Sequence, residues 1–209
     1  MPVKERIRIN MNKLIAIILT GIMVMSFAAC AGQSGNNGLK HDPAFESVTS
    51  ANEALELSKK SSVVVMEDGI CTSGKEVWDE FYKDVQNKKS ACVVCAAYYT
   101  LDDENISEEL YEQEKGEYPV LFYTLVEYNG KEFSVKVRQS DKSEMERTET
   151  FKALSYFKGD MREGAKYSTY ERYVLVNDAS LKWEDIDRGM FSSQSDAWIE
   201  HIVLYQTYK

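Results

Sequence analysis

The fold of this chain is decided by one stretch of sequence, Val120-Leu-Phe-Tyr-Thr-Leu-Val-Glu-Tyr128, Asn129-Gly130, then Lys131-Glu-Phe-Ser-Val-Lys-Val-Arg138. An Asn-Gly pair between two β-forming runs is a strong hairpin signal, because it accommodates the positive φ angles of a two-residue type I′ turn. From Phe133 to Val137 every second residue is apolar and the residues between are polar. The pattern predicts an antiparallel hairpin with one buried face and one solvated face.

Two helices are predicted before this hairpin, each from a capping-box sequence. The first box is Ser50-Ala-Asn-Glu53 and the second is Ser73-Gly-Lys-Glu76. In each box we expect the serine side chain to accept a hydrogen bond from the amide three residues later. The residues that then share an inner face are Ala51, Ala54, Leu55 and Ser58 in the first helix, and Val77, Trp78, Phe81, Tyr82 and Val85 in the second. Both helices are therefore expected to be amphipathic.

Further strands are indicated by apolar, β-branched and aromatic runs on both sides of the hairpin. Val63–Met66 is closed by Asp68-Gly69, which predicts a strand and a turn. The other predicted strands are Ala91–Leu101, Thr148–Phe157, Thr169–Val176 and Glu200–Thr207, with short helices at Ser107–Gln113 and from a Ser180 cap to Gly189. Together these elements predict an α+β fold, with a mostly antiparallel sheet of about five to seven strands and two or three helices packed on one face.

The first thirty residues have the pattern of an export signal. Basic residues precede an apolar run from Leu14 to Phe27, and Ala28-Ala29-Cys30 follows. The run has about 14 residues, fewer than the roughly 20 that span a bilayer. This segment resembles the signal peptide and lipobox of a bacterial lipoprotein, and the rest of the chain resembles small uncharacterised lipoproteins. The lipobox resemblance implies cleavage before Cys30 and a lipid on its thiol, so that the chain is anchored at the outer face of the cell membrane.

Two other interpretations of the leader stay open, an uncleaved anchor helix and an ordinary secreted protein cut after Ala29. Translation from Met11 instead of Met1 would also leave a normal short leader. Cleavage before Cys30 predicts three segments, a signal peptide over residues 1–29, a tether over 30–43 and a single domain over 44–209. The tether is rich in small polar residues and glycine, which is typical of flexible linkers.

The predicted mature chain is strongly acidic. The whole chain has a formal charge of −9, and removal of residues 1–29, with four basic side chains and one acidic one, leaves −12. Such a surface repels nucleic acid and anionic lipid head groups. We therefore expect no nucleic-acid partner. The expected partners are the membrane, through the lipid on Cys30, and an unknown protein or small ligand.

Three cysteines remain for the domain when Cys30 carries a lipid. Cys92-Val-Val-Cys95 has the C-x-x-C spacing, but it lies in a predicted strand, where residues three apart point to opposite faces. The main prediction is that these thiols are small buried residues. One alternative for an exported protein is a disulfide between Cys71 and either Cys92 or Cys95. A zinc site that adds His201 and a redox-active pair are two further alternatives.

Signals of catalysis are weak in this chain. Of the two histidines, His41 lies in the tether and His201 in a predicted strand. The cluster Ser192-Ser-Gln-Ser195 lacks the Gly-x-Ser-x-Gly elbow of hydrolases, and the acidic runs Asp102–Asn105 and Glu184–Asp187 lack an EF-hand pattern. We assign no catalytic residue, no metal and no cofactor. Solvated surface is expected for the acidic runs, with a weak calcium site or paired catalytic carboxylates as alternatives.

Tyrosine is abundant, with thirteen residues beside three tryptophans. Those that flank predicted strands are Tyr98, Tyr99, Tyr123, Tyr128, Tyr170, Tyr173, Tyr205 and Tyr208. Tyrosine suits half-buried sheet positions, and it also suits binding surfaces. We expect an extracytoplasmic domain that binds a ligand or protein of unknown specificity, rather than an enzyme. The alternatives are a small cell-envelope hydrolase, built on His201, the serine cluster or the acidic runs, and an inhibitor or immunity-type envelope protein.

Overall fold

A computed structural model of the chain describes residues 43–102, 106–192 and 194–209. The helices are α1 (Pro43–Glu46), α2 (Ala51–Ser58), α3 (Lys75–Gln86), α4 (Glu108–Glu114) and α5 (Trp183–Met190), with a 3₁₀ turn at Ser195–Ala197. The strands are β1 (Val64–Glu67), β2 (Ile70–Ser73), β3 (Ala91–Tyr99), β4 (Val120–Tyr128), β5 (Phe133–Gln139), β6 (Arg147–Phe151), β7 (Ala153–Asp160), β8 (Thr169–Val176) and β9 (His201–Tyr208).

The predicted hairpin is confirmed, but its turn is not the one expected. Strands β4 and β5 pair antiparallel, with Tyr128 opposite Phe133, so four residues (129–132) form the connection. The Asn129 side-chain oxygen accepts hydrogen bonds from the amides of Lys131 at 2.9 Å and Glu132 at 3.0 Å. The predicted two-residue type I′ turn is therefore wrong, because the asparagine side chain closes a longer loop on its own backbone.

The two-residue turn with two positive φ angles lies instead at the predicted turn between β1 and β2. Asp68 has φ 46° and Gly69 has φ 79°, and the flanking residues Glu67 and Ile70 are paired. Both carboxylate oxygens of Asp68 accept from Thr100, one from its amide at 2.7 Å and one from its hydroxyl at 2.8 Å. The turn is thereby fastened to the end of β3.

The strands of the described residues form two sheets. The larger sheet has the order β2-β1-β3-β4-β5-β6 and the smaller has the order β7-β8-β9. Neighbouring strands are antiparallel except β1 and β3, which run parallel with Val64 opposite Cys95. The chain passes from one sheet to the other at Lys152. The α+β class is confirmed, whereas the strands divide into six and three instead of forming one sheet of five to seven.

Helices cover both faces of the six-stranded sheet, so the prediction that they pack on one face needs correction. One face packs on α1 and α2 through Val65, Val94, Ala96, Leu121 and Tyr123. The opposite face packs on α3 and the three-stranded sheet through Val64, Val93, Cys95, Val126 and Val135. Strand β3 is apolar at successive positions, and a strand buried on both faces has this pattern. Within the described residues, no helix is long and apolar enough to cross a membrane.

The two predicted capping boxes have different outcomes. Helix α2 is capped as predicted, since the Ser50 hydroxyl oxygen accepts from the Glu53 amide at 3.5 Å. Helix α3 begins after Gly74, not after Ser73, because Ser73 is the last residue of β2. Gly74 has φ 77°, and a Cβ there would lie 2.2 Å from the Val63 carbonyl oxygen. Only glycine fits at this position, and it offers no capping side chain.

The predicted N-terminal cap is confirmed for α4 and is wrong for α5. Helix α4 is capped by Ser107, as predicted. Helix α5 begins after Lys182 instead of Ser180, whose hydroxyl and amide both donate to Asp178. The helix then continues through Gly189 to Met190.

The predicted solvated face of β5 carries one buried charge, Arg138, which is only 2% exposed. Its guanidinium donates to carbonyl oxygens on two segments, those of Gln139, Ser140 and Lys142 after β5 and those of Phe45 and Ser47 near α1. It also lies over the rings of Phe45 and Tyr123, at 5.5 and 5.4 Å from their centroids. Arg138 therefore holds the first described segment against the sheet.

Candidate functional site

Several of the predicted functional residues lie outside the described residues. These are the leader, Cys30, His41 and nearly all of the tether, together with residues 103–105 and Ser193. The lipid anchor accordingly stays a prediction.

Among the described residues, Cys71, Cys92 and Cys95 form no disulfide, so the candidate bond of Cys71 is not formed. Strand β1 lies between β2, which carries Cys71, and β3, which carries Cys92 and Cys95. Two strand spacings separate the Cα atoms by about 9.5 Å, and a disulfide needs less than about 7 Å. Cys95 is 2% exposed, whereas Cys71 and Cys92 are half-buried.

His201 does not have the surroundings of a general base. Its Nδ1 lies 2.7 Å from the carbonyl oxygen of Ile199, and its ring contacts the exposed ring of Trp198 with centroids 5.3 Å apart. Among the described residues no hydroxyl or carboxylate is hydrogen-bonded to the ring. A serine hydrolase needs both a nucleophile and an orienting acid at the histidine.

The acidic run on α5 has structural partners. The Asp185 carboxylate accepts from the Lys182 amide at 3.1 Å, and Asp187 lies 3.7 Å from Arg162. In the part of the chain that the structure describes, no three His, Cys, Asp or Glu side chains are grouped as a metal site would require.

A cleft of about 460 Å³ opens where the start of α3 meets the three-stranded sheet. Its lining comes from β2 and the first turns of α3 on one side, and from β8, β9 and Lys209 on the other. Small-molecule sites commonly measure about 300–1,000 Å³. The cleft is thus large enough for a metabolite-sized ligand.

The floor of the cleft is aromatic and tightly packed. Trp78, on the predicted inner face of α3, is 1% exposed and stacks on Tyr205 with ring centroids 5.0 Å apart. The edge of Tyr173 meets the same indole at 5.1 Å. Tyr82 and Tyr156 extend the cluster from Tyr173, at 4.8 and 4.9 Å. Mutual packing of these rings makes the floor rigid.

The thiol in the cleft is neutral and not activated. Burial raises the pKa of Cys71, and its Sγ donates to the Ser73 carbonyl oxygen at 3.5 Å. Burial also raises the pKa of Tyr205, whose hydroxyl is hydrogen-bonded to Cys71. The pKa of Tyr173 is raised to about 12, again chiefly by burial. A reactive cysteine has a lowered pKa, so this arrangement offers hydrogen bonds instead of a nucleophile.

Charged side chains at the rim are mostly paired with one another. Lys75 lies 2.5 Å from Asp79. Glu171 pairs with Lys209 at 3.2 Å and Lys158 at 3.5 Å, and the hydrogen bond from Lys209 lowers the pKa of its carboxyl. The exposed Glu76 also lines the cleft.

Two buried polar atoms of cleft-lining residues, Ser73 Oγ and Trp78 Nε1, have no hydrogen-bond partner among the residues that the structure describes. Beside them, the first-turn amides of α3 receive no acceptor from the side chain of Gly74, which has none. Buried polar groups in proteins are almost always hydrogen-bonded, and the first amides of a helix need external acceptors. Both atoms belong to residues that line the cleft, next to the uncapped start of α3.

The sequence alone does not predict a ligand-binding cleft at these residues. It indicates Cys71 as a disulfide candidate, Trp78 as a core residue, and Tyr173 and Tyr205 as residues of strand packing. It gives no signal for Lys75, Glu171 or Lys209. No local motif unites them, because the two walls of the cleft are separated by about a hundred residues of chain.

Comparison with protein-family models, with curated proteins and with solved structures finds no match for this chain.

Proposed function

We propose that this chain is a membrane-anchored, extracytoplasmic binding domain that holds a small polar ligand in the cleft at the start of α3. A lipid on Cys30 would anchor the domain to the outer face of the membrane. A tether over residues 30–43 would keep the domain within a distance on the order of 20 Å from it.

The observation that carries the proposal is the pair of unpartnered buried atoms, Ser73 Oγ and Trp78 Nε1, in residues that line one cleft. Leaving a buried polar group unsatisfied costs about 1–3 kcal/mol. A ligand that accepts from these donors recovers that free energy on binding. The neutral Cys71 and the internally paired charges favour binding over catalysis.

The half-buried thiol of Cys71 provides a direct test of ligand binding. We would label the full chain, purified from membranes in detergent, with N-ethylmaleimide and follow Cys71 by peptide mass spectrometry while screening small polar compounds. Cys92 is the internal reference, because it points to the face of the six-stranded sheet opposite Cys71. A ligand of the cleft should slow labelling of Cys71 and leave Cys92 unchanged. If no compound slows Cys71 selectively, the proposed binding role is wrong.

The anchor has its own test. Cells that express the full chain would be grown with radiolabelled palmitate, and the chain would be recovered from the membrane fraction. The chain should carry the label, and the Cys30→Ser variant should carry none. Label retained by the variant, or a wild-type chain found outside the membrane fraction, would refute anchoring through Cys30.

A further inference from the structure

We infer that the ligand of the cleft is a zwitterion of the α-amino-acid type, with its carboxylate at the start of α3 and its ammonium group at Glu76. This inference deepens the proposed function and rests on it.

The start of α3 is suited to an anionic oxygen. A helix N-terminus carries partial positive charge and exposes unpaired amides, so it attracts carboxylates and phosphates. Here Gly74 gives no side-chain cap to a helix of twelve residues. The indole N–H of Trp78, a residue that lines the cleft, has no hydrogen-bond partner among the described residues, and an indole donates and never accepts. The unpartnered Ser73 hydroxyl adds a second donor.

Glu76 supplies the opposite charge at the same place. It lies in the first turn of α3, lines the cleft and is exposed. Among the described residues, no Lys or Arg forms an ion pair with Glu76. It is therefore available to a cationic group on a ligand.

The remaining rim charges are already neutralised. Among the residues that line the cleft, Asp79 is paired with Lys75 and Glu171 with Lys209. What remains is one carboxylate beside the positive end of a helix. A simple anion would be repelled by Glu76, and a simple cation would leave the helix amides, Ser73 and Trp78 unsatisfied. A zwitterion complements both groups, and burying its two charges requires both partners.

The test compares four compounds that share one side chain. They are L-phenylalanine, N-acetyl-L-phenylalanine, L-phenylalaninamide and N-acetyl-L-phenylalaninamide, which are respectively zwitterionic, anionic, cationic and neutral. Affinity for the full chain in detergent would be measured by calorimetry, and the binding site by protection of Cys71. We expect L-phenylalanine to bind about tenfold more tightly than either singly blocked compound, since each block removes one charge-assisted hydrogen-bond set.

Two variants test separately the residues proposed to bind the carboxylate and the ammonium group of the ligand. Ser73→Ala should reduce the preference for L-phenylalanine over its amide, and Glu76→Gln should reduce the preference over the N-acetyl compound. Ser90→Ala and Glu109→Gln, both at exposed positions outside the cleft, are the matched controls. Circular dichroism melting curves check that each variant is folded.

The outcomes distinguish this inference from the proposed function. Equal binding of the four compounds would overturn the zwitterion and leave the binding role intact. If none of the four compounds binds but other compounds protect Cys71, the zwitterion is likewise overturned and the binding role stays intact. If no compound of any charge protects Cys71, both fail.

Discussion

The indole ring of Trp78 stacks on the phenol ring of Tyr205, with centroids 5.0 Å apart and planes inclined by 13°. Trp78 belongs to α3, which packs on the six-stranded sheet, and Tyr205 belongs to β9 of the three-stranded sheet. The contact therefore joins the two sheets through the helix. Because it also forms the floor of the cleft, the same residues serve stability and binding.

Replacing Trp78 tests this joint. Trp78→Ala should lower the free energy of unfolding by about 3–5 kcal/mol, because it removes a fully buried indole and its ring contacts. Trp198→Ala, at a side chain that is 56% exposed, should change it by less than about 0.5 kcal/mol. Urea denaturation measures both. Similar losses in the two variants would contradict the assignment of Trp78 to the core.

Gly74 tests the backbone geometry at the start of α3, with Gly164 and Gly116 as comparisons. Gly74→Ala should cost about 2–4 kcal/mol, since it combines left-handed strain with a clash against Val63. Gly164 has φ 84° with nothing near its Cβ position, so Gly164→Ala should cost only the strain, about 1–2 kcal/mol. Gly116 has neither feature, and Gly116→Ala should be neutral or stabilising. Thermal melts should rank the variants in this order, and a neutral Gly74→Ala would refute the geometry.

Arg138 is predicted to hold the first described segment in place. Arg138→Met leaves several carbonyl oxygens without their donor and should lower the free energy of unfolding by about 3 kcal/mol. Hydrogen exchange should rise over residues 43–49. Arg162→Met is the control, because this side chain is 87% exposed and forms only a surface ion pair. Unchanged exchange over that segment in the Arg138 variant would contradict the role.

Stability at high pH should depend on Cys95. Burial raises the pKa of this thiol from 9.0 to about 12, so above pH 9 the unfolded state releases the proton first. The free energy of unfolding is then retained below about pH 9 and falls as the pH rises, by at most about 1.4 kcal/mol per unit. Urea denaturation between pH 8 and about 10.5 should show a smaller slope for Cys95→Ala than for the wild type. An unchanged slope in Cys95→Ala would oppose this assignment.

A mass measurement tests the thiols and the anchor together. The mature, lipidated chain should take up three N-ethylmaleimide groups when it is denatured without reductant, because no disulfide joins Cys71, Cys92 and Cys95. A disulfide would reduce the number to one. A chain that takes up four would have an unmodified Cys30.

Local patterns in the sequence predicted most elements of this fold. The inner face of α2 consists of Ala51, Ala54, Leu55 and Ser58, as predicted, and β8 has the predicted bounds Thr169–Val176. Helical and strand periodicities record which side of an element is buried. The wrong predictions concern helix caps and turns, where a single residue determines the local backbone conformation. Ser73 was assigned to a helix cap although it ends a strand, and Asn129 closes its loop with its side chain.

The predicted solvated face of β5 shows that sequence patterns do not predict tertiary contacts. The alternation of polar and apolar residues placed Arg138 in water, yet it is buried beneath the segment that contains Phe45. Its partners are backbone carbonyl groups, and a carbonyl group has no residue-specific signal in the sequence. The division of the strands into two sheets was likewise not visible, because the strands of both sheets have the same short-range pattern and only Lys152 separates β6 from β7.

The sequence by itself determined the α+β class, the placement of most helices and strands, and the inner face of α3 with Trp78. These follow from short-range spacing and from the polarity of neighbouring residues. Only the tertiary structure decided that Ser73, Glu76 and Trp78 share a cleft with Glu171 and Tyr205. Residues so distant in the chain meet because the inner face of α3 packs on both sheets. That packing depends on the summed burial of all the elements and not on any local pattern.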